Sequence, residues 1–400
     1  MAESPIRGDL AGIEFNVDVQ GMFTEEAYQK DIDRIFKKAW LPIGHDYDLP
    51  NPGDYKTRRI PGLNYNVLIV RDKENRIRAF HNVCRHRGNL LVCKEAGNSR
   101  QGFSCGYHGW TYNIDGSLRA MTDSNQFPPH ESEALGLREI RCEVRHTFIF
   151  LNFDKDAENL DSWLGELASP DLYEGFFENF RSTGLTSATI RTNWNLCMDA
   201  FSEAYHTLFV HKNTAKDYLG SSDNPMRHNP AVEVMRWHAR IATAANPEHK
   251  WSPTEKLAYK YAARAFPSFD SDSSGLPAGV NFGKIDSWAF DVVKFFPNLI
   301  MLTGRDWFIE VYAWPLAADR TLCEFNTFLR NPKTYGERVA QEFSYVVTRE
   351  IAQEDLYLLE RQQSALENGA VTNFFLSFQE LVVAHHYRNR ARLLSNGEGR

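Results

Sequence analysis

The chain has 400 residues, 42% of them hydrophobic and 13% aromatic, with 52 acidic against 45 basic side chains and a formal charge of −7. That balance argues against nucleic-acid binding, which needs a basic patch, and no apolar run approaches the ~18 residues of a membrane helix. Six cysteines are too few for a disulfide scaffold, and the opening residues lack a secretion signal, so a cytoplasmic location is expected.

About 150 residues per domain gives two or three domains. Residues Thr24–Trp40 read as an amphipathic helix, with Thr24 as cap and Tyr28, Ile32, Ile35, Phe36 and Ala39 on one apolar face. The following Pro- and Gly-punctuated stretch reads as loop. From about Tyr55 to Phe153 short strands alternate with turns, Asp115–Gly116 being a strong hairpin signal. Helical spacing returns over Asn193–His211. Asn246–Gly279 is rich in Ser, Pro and Asp, and its second half reads as a loop or lid. Strands are expected between Trp288 and Arg330, and a long helix over Gly336–Leu366. Strands plus one long helix make an α+β domain.

Two short stretches carry the first chemistry. Cys84-x-His86 and Cys105-x-x-His108 are separated by 18 intervening residues. A Cys2His2 zinc clip is one reading, although finger spacing usually keeps Cys with Cys and His with His. Chance association is the bland one. A Rieske [2Fe–2S] centre is the third, since it replaces two Cys by two His on one iron. Gly88, Gly106 and Gly109 let the backbone approach a cluster. The other cysteines, Cys93, Cys142, Cys197 and Cys323, read as small buried hydrophobes.

The second constellation is Glu203, His206 and His211. Residues five apart on a straight helix differ by about 140° in direction, so the two His share an ion only if the helix bends or ends between them. Glu203 and His206, three apart, share a face. Two His and one carboxylate make the facial triad of non-haem Fe(II) oxygenases, and the carboxylate must come from elsewhere. Taken alone, such a His pair is more often core or surface than ligand.

Together, CRHRG…CGYHGW and NW…E-x-Y-H-x-x-x-x-H resemble the signatures of the Rieske non-haem iron aromatic-ring-hydroxylating oxygenases, large (alpha) subunit, over about residues 20 to 390. The resemblance implies that Cys84 and Cys105 bind one iron of the cluster and His86 and His108 the other. It implies a mononuclear Fe(2+) held by His206, His211 and an Asp of the long helix, which matches Asp355, with Glu354 its nearest rival. Only one of two adjacent helical residues is expected to aim inward, and Asp355 shares the more apolar side with Ile351, Leu358 and Leu359. It gives Glu203 a catalytic bridging role, hydrogen-bonded to His206 and to His108 of the partner subunit. Three departures stand out: a longer segment between the Cys/His pairs, Glu203 where Asp is common, and Ala200 where many ring dioxygenases have Asn.

The implied fold is α+β: an all-β Rieske domain plus a helix-grip catalytic domain with an antiparallel sheet and a long C-terminal helix. The expected domains are residues 1–40, an N-terminal helix packing on the catalytic domain; 41–155, the Rieske domain; and 156–400, the catalytic domain. No GxGxxG follows a strand, so NAD(P)H electrons are expected through a separate reductase, with or without a ferredoxin. A homotrimer is implied, with or without a β subunit. The expected co-substrates are O2 and a hydrophobic, aromatic or polycyclic compound; the alternative is a small N-methylated or quaternary ammonium compound. Phe290, Phe295, Trp307, Phe308 and Trp314 are candidate pocket residues. An electron carrier without a second iron and a non-catalytic apolar-ligand module are the competing classes.

Overall fold

A computed structural model describes residues 6–129, 131–215, 217–262 and 274–395. The chain forms two compact units, Phe36–Trp163 and Met1–Ile35 with Leu164–Arg400.

The smaller unit is all-β. Seven strands form one sheet in the order Leu41–His45, Phe148–Asn152, Glu139–Arg145, Ile77–His81, Tyr65–Arg71, Asp54–Ile60 and Ala96–Asn98. Phe103–Ser104, Thr111–Tyr112 and Leu118–Ala120 form a second. The strand Leu41–His45 replaces the loop expected there. It contains Pro42 and survives because it lies at the sheet edge, where a missing N–H is tolerated. The Asp115–Gly116 turn joins two strands as expected, with Gly116 at φ 86° and its N–H on Asn113 O at 3.0 Å. The core includes Leu68, Phe80, Trp110, Tyr112 and both Cys84 and Cys105.

Gly102 leads the strand that enters the Cys105 loop. Its φ is +89°, and a Cβ there would lie 2.1 Å from Tyr112 O. Gly102→Ala is therefore expected to cost about 3 kcal/mol or more through strain and strand displacement. A lowered denaturation midpoint with partial loss of cluster absorbance checks this; an unchanged midpoint contradicts it.

The larger unit is α+β. Eight strands run in the order Ile6–Gly8, Ala231–Val234, Ala239–Ala244, Trp288–Phe295, Leu299–Thr303, Trp307–Ala317, Arg320–Leu329 and Arg181–Ile190. All neighbours are antiparallel except the first pair. Trp288–Phe295 is buried at every position, as a strand covered on both faces must be. Its polar residues are satisfied: Asp291 accepts from Trp288 Nε1 (3.0 Å) and Asn281 N (2.6 Å), and Lys294 donates to Ser202 Oγ (2.8 Å).

The helix Tyr335–Leu366 starts where Thr334 accepts the Glu337 N–H. Tyr345 packs where only a glycine, Gly184, leaves room on the edge strand, and its hydroxyl meets Thr186 Oγ1 at 2.8 Å. At the N-terminus, Thr24 caps an α-helix that is shorter than expected, Glu25–Asp31, and continues as a π-turn over Ile32–Phe36. The five residues of the expected apolar face are all buried. Among the cysteines, Cys197 and Cys323 are buried, but Cys93 is exposed and Cys142 half-buried, which corrects the uniform reading. In the first half of Asn246–Gly279, Pro253–Ala258 is a helix boxed by Ser252 and Glu255; of the second half, expected as a loop or lid, residues 263–273 lie outside the described residues.

Candidate active site

The two Cys/His stretches fold as copies of one turn. Cys84 N–H donates to Asn89 O and Gly88 N–H to Cys84 O; Cys105 N–H donates to Trp110 O and Gly109 N–H to Cys105 O. Gly88 and Gly109 sit at φ 78° and 72°, which is why each loop needs glycine there. Each turn buries its thiol and leaves its imidazole half-buried. His86 and His108 face each other with Nδ1 atoms 3.2 Å apart, and His86 stacks on Trp110. Burial works to raise the Cys105 thiol, but the N–H groups of Tyr107 and His108, the Cys84 thiol and the Asn89 amide outweigh it and set it below its ordinary range. Tyr112 lays its hydroxyl 3.4 Å from Cys84 Sγ and accepts the Arg85 N–H. Two thiols on one side and two facing ring nitrogens on the other suit a Rieske cluster.

In the larger unit, the expected single helix over Asn193–His211 is broken. One helix spans Trp194–Ala200 and a single turn spans Thr207–Val210. Glu203 lies in the break and accepts the His206 backbone N–H at 3.0 Å. His206 and His211 flank the short turn at its two ends, so the divergence of a straight helix does not apply. Their Nε2 atoms lie 3.3 Å apart. Asp355 Oδ1 stands 3.5 Å from His206 Nε2 and 3.2 Å from His211 Nε2. Among the described residues, these three form a group whose donor atoms lie within 4.8 Å of one another.

Each imidazole is fixed from behind. His206 Nδ1 bonds Glu203 Oε1, and His211 Nδ1 lies 2.9 Å from Glu354 Oε2, which also accepts from Thr214. Of the neighbours Glu354 and Asp355, only Asp355 faces the inward Nε2 atoms; Glu354 reaches around the back of His211 to its Nδ1. Burial disfavours charge on His206, yet Glu203 and Asp355 outweigh it and raise its pKa. Carboxylates on both Nδ1 atoms turn the Nε2 lone pairs inward. Two neutral imidazole donors and one carboxylate fit a 2-His-1-carboxylate ferrous centre.

The donors end a cavity of about 120 Å³. Ile241, Val292, Ile309, Val311 and Phe325 line it from alternate strand positions. Of the five expected pocket aromatics only Phe290 is a lining residue. Phe308 points away and packs on Phe177, Phe180 and Phe328, and Trp314 donates to Glu324. Arg227 also lines the cavity, and no sequence signal distinguished it from 44 other basic residues.

Residues 177–396 match the family model described as ring hydroxylating alpha subunit (catalytic domain). The chain belongs to the ring-hydroxylating alpha subunit family. Residues 39–134 match the Rieske [2Fe-2S] domain, so this family member carries the cluster-binding module ahead of its catalytic domain. The chain is similar to the large oxygenase component of the naphthalene 1,2-dioxygenase system of Pseudomonas aeruginosa, with 34% identity over 48% of this chain and 43% of that one. The matched stretch thus spans less than half of that relative. The carnitine monooxygenase oxygenase subunit of Acinetobacter pittii matches at 25% identity over 91% of this chain and 92% of its own. Among solved structures, naphthalene 1,2-dioxygenase from Rhodococcus sp. superposes with TM-score 0.75 at 19% identity, covering 96% of this chain and 95% of its own. The quaternary ammonium Rieske monooxygenase CntA gives 0.75 at 21%, covering 94% and 95%. These likenesses show the shared fold.

Proposed function

We propose that this chain is the oxygenase component of a multicomponent Rieske oxygenase, taking electrons from NAD(P)H through a separate reductase, with or without a ferredoxin, and using O2 to hydroxylate an apolar substrate. The observation that carries this reading is the convergence of His206, His211 and Asp355 at the end of an apolar cavity. A ferrous ion in such a set supplies open coordination positions for dioxygen chemistry, and a Rieske cluster supplies electrons.

The residues divide the remaining work. Cys84, Cys105, His86 and His108 hold the cluster. Glu203 and Glu354 fix the tautomers of His206 and His211, and Glu203 is the link toward the His108 of the partner subunit in a homotrimer. A small β subunit is an optional further partner. The apolar wall positions substrate and keeps water from the donors. A purely electron-carrying role leaves the second donor set without a task.

The whole-length likeness to a carnitine monooxygenase subunit supports a second reading, oxidation of a small quaternary ammonium compound. The apolar wall and the buried guanidinium of Arg227 favour the first.

Anaerobically purified protein is expected to hold about three irons per chain. On reduction it should give a Rieske EPR signal, and with a reductase it should place labelled oxygen from O2 into product. Absence of the Rieske signal, or product formed equally without O2, overturns the reading.

A further inference from the structure

Hydroxylating a C–H bond with O2 takes up two protons as well as two electrons and releases one water (RH + O2 + 2e− + 2H+ → ROH + H2O). The apolar cavity is a poor source of those protons. Its carboxyls are Glu203, which accepts from His206, and Asp355, which faces both imidazoles. The donor set, however, also borders a second depression in the larger unit, of about 450 Å³. Ala200, Glu203, His206 and Asp355 line both spaces. The exposed Val371 and Phe375 line the second, so it reaches the surface of the chain.

Two further carboxyls stand in this depression, Asp199 and Glu380. Glu380 closes a capping box by accepting the Ser377 N–H at 2.7 Å. Asp199 lies near the end of the helix Trp194–Ala200, and its Oδ2 accepts the hydroxyl of Tyr387, from the helix Leu381–Ser395. Its Oδ1 is buried and, among the described residues, meets no hydrogen-bond donor; Glu203, Asp355 and Glu380 have no buried oxygen in that condition. An ionised carboxylate with one oxygen bare and out of water is costly, and a proton on that oxygen removes the cost. Tyr387 already donates to Oδ2, so the place for the proton is Oδ1.

The surrounding charges keep that proton releasable. Burial raises the Asp199 pKa to about 7; Lys294 and the Tyr387 hydroxyl pull it down, while Glu380 and Glu203 push it up. Lys294, from the strand Trp288–Phe295, is buried and donates to Ser202 Oγ at 2.8 Å. Burial lowers its pKa to about 7, and Asp199 offsets part of that. His385 and His386 also feel the Lys294 charge, and burial holds both neutral. Tyr387 stays protonated through burial and the Asp199 charge, with Arg390 opposing and Asp31 reinforcing.

We propose that Asp199, positioned by Tyr387 and tuned by Lys294, stores and delivers the protons that oxygen reduction at the donor set consumes. The proposal rests on the oxygenase reading and adds the proton route to it. The Oδ1–H bond breaks, the proton passes to water in the depression and past Glu203 to the donor set, and the carboxylate is reprotonated from the same depression. A polar, roomy site of this kind is where water can bridge such groups.

The first test is an infrared titration of the anaerobically reduced holoprotein, without O2 or substrate. A protonated-carboxyl band is expected below neutral pH and should vanish as pH rises through about 7. It should be absent in Asp199→Asn and kept in Glu203→Gln. Tyr387→Phe should move the transition to higher pH, because the hydroxyl stabilises the ionised form. A wild-type protein without the band, or a transition that ignores Tyr387→Phe, overturns the proposal. The second test is the single-turnover rate with toluene as probe. Where toluene is not oxidised, the rate is read as hydrogen peroxide release, which takes the same protons (O2 + 2e− + 2H+ → H2O2). Asp199→Asn is expected to keep about three irons per chain and to lose about 100-fold in rate. The wild-type rate should fall as pH rises through the infrared transition, since the donating form is lost there, while the rate of the variant stays level. A variant with the wild-type rate and pH profile overturns the proposal. If Asp199→Asn does not fold, the infrared titrations of the wild type and Tyr387→Phe still decide. Failure of the oxygenase reading shows separately, in iron content and in labelled oxygen in product.

Discussion

Asp355→Ala is expected to keep the Rieske spectrum, fall from about three irons per chain to about two, and lose all oxygen-dependent turnover. Among the described residues, the carboxylate is the sole negative donor within reach of both His206 and His211 Nε2 atoms, at 3.5 and 3.2 Å, and its side chain is 4% exposed. Its removal leaves two neutral imidazoles, too few to hold a ferrous ion against water. The fold should survive, because Asp355 lies inside a 32-residue helix and alanine is the better helix former. Glu354→Ala provides the contrast. Glu354 touches His211 only from behind, so its loss should weaken iron binding by roughly 10- to 100-fold without abolishing the site. Metal analysis after dialysis against graded iron concentrations separates the two. Equal iron retention in both variants would refute the assignment of Asp355 as ligand.

The residues that converge here differ in how legible they were. Cysteine beside histidine in two copies is rare enough to read from the chain alone, and the structure folds both copies into the same hydrogen-bonded turn. His206 and His211 were legible as a pair but not as a geometry, because the helix break after Ala200 depends on Glu203 turning back to the His206 N–H. Asp355 needed the family resemblance, since an acidic residue in an acidic helix carries no signal of its own. The contact of Glu354 with the back of His211 is not legible from direction alone, because a glutamate is long enough to reach around an imidazole that a neighbouring aspartate faces directly. Phe308 and Trp314 miss the cavity by strand alternation, since they share one parity and the lining residues Ile309 and Val311 the other; Trp307 has the lining parity but packs on Phe290. The strand Arg181–Ile190 and the helix Leu381–Ser395 went unread for opposite reasons. The first is a largely exposed sheet edge. The second buries His385, His386, Arg388 and Asn389, which erases the apolar stripe by which a helix is recognised.

Glu203→Gln is expected to leave the cluster intact and the iron recoverable at high iron concentration, while single-turnover oxidation slows by roughly 10- to 100-fold, the range for carboxylates behind a metal-bound imidazole. The reason lies in the donor count. Glu203 accepts twice from one residue, at the His206 N–H through Oε2 and at Nδ1 through Oε1. A glutamine has one accepting oxygen and one donating NH2. If its oxygen takes the Nδ1–H, its amide nitrogen confronts the backbone N–H; reversed, it confronts the ring. Either way one of the two contacts fails, and the imidazole loses the anion that keeps its Nε2 lone pair basic and aimed inward. The same carboxylate borders a second depression beside Asp199, Leu358 and Phe375. A variant that binds iron normally and oxidises substrate in a single turnover at the wild-type rate would remove Glu203 from the electron path and leave it as a helix-end contact alone.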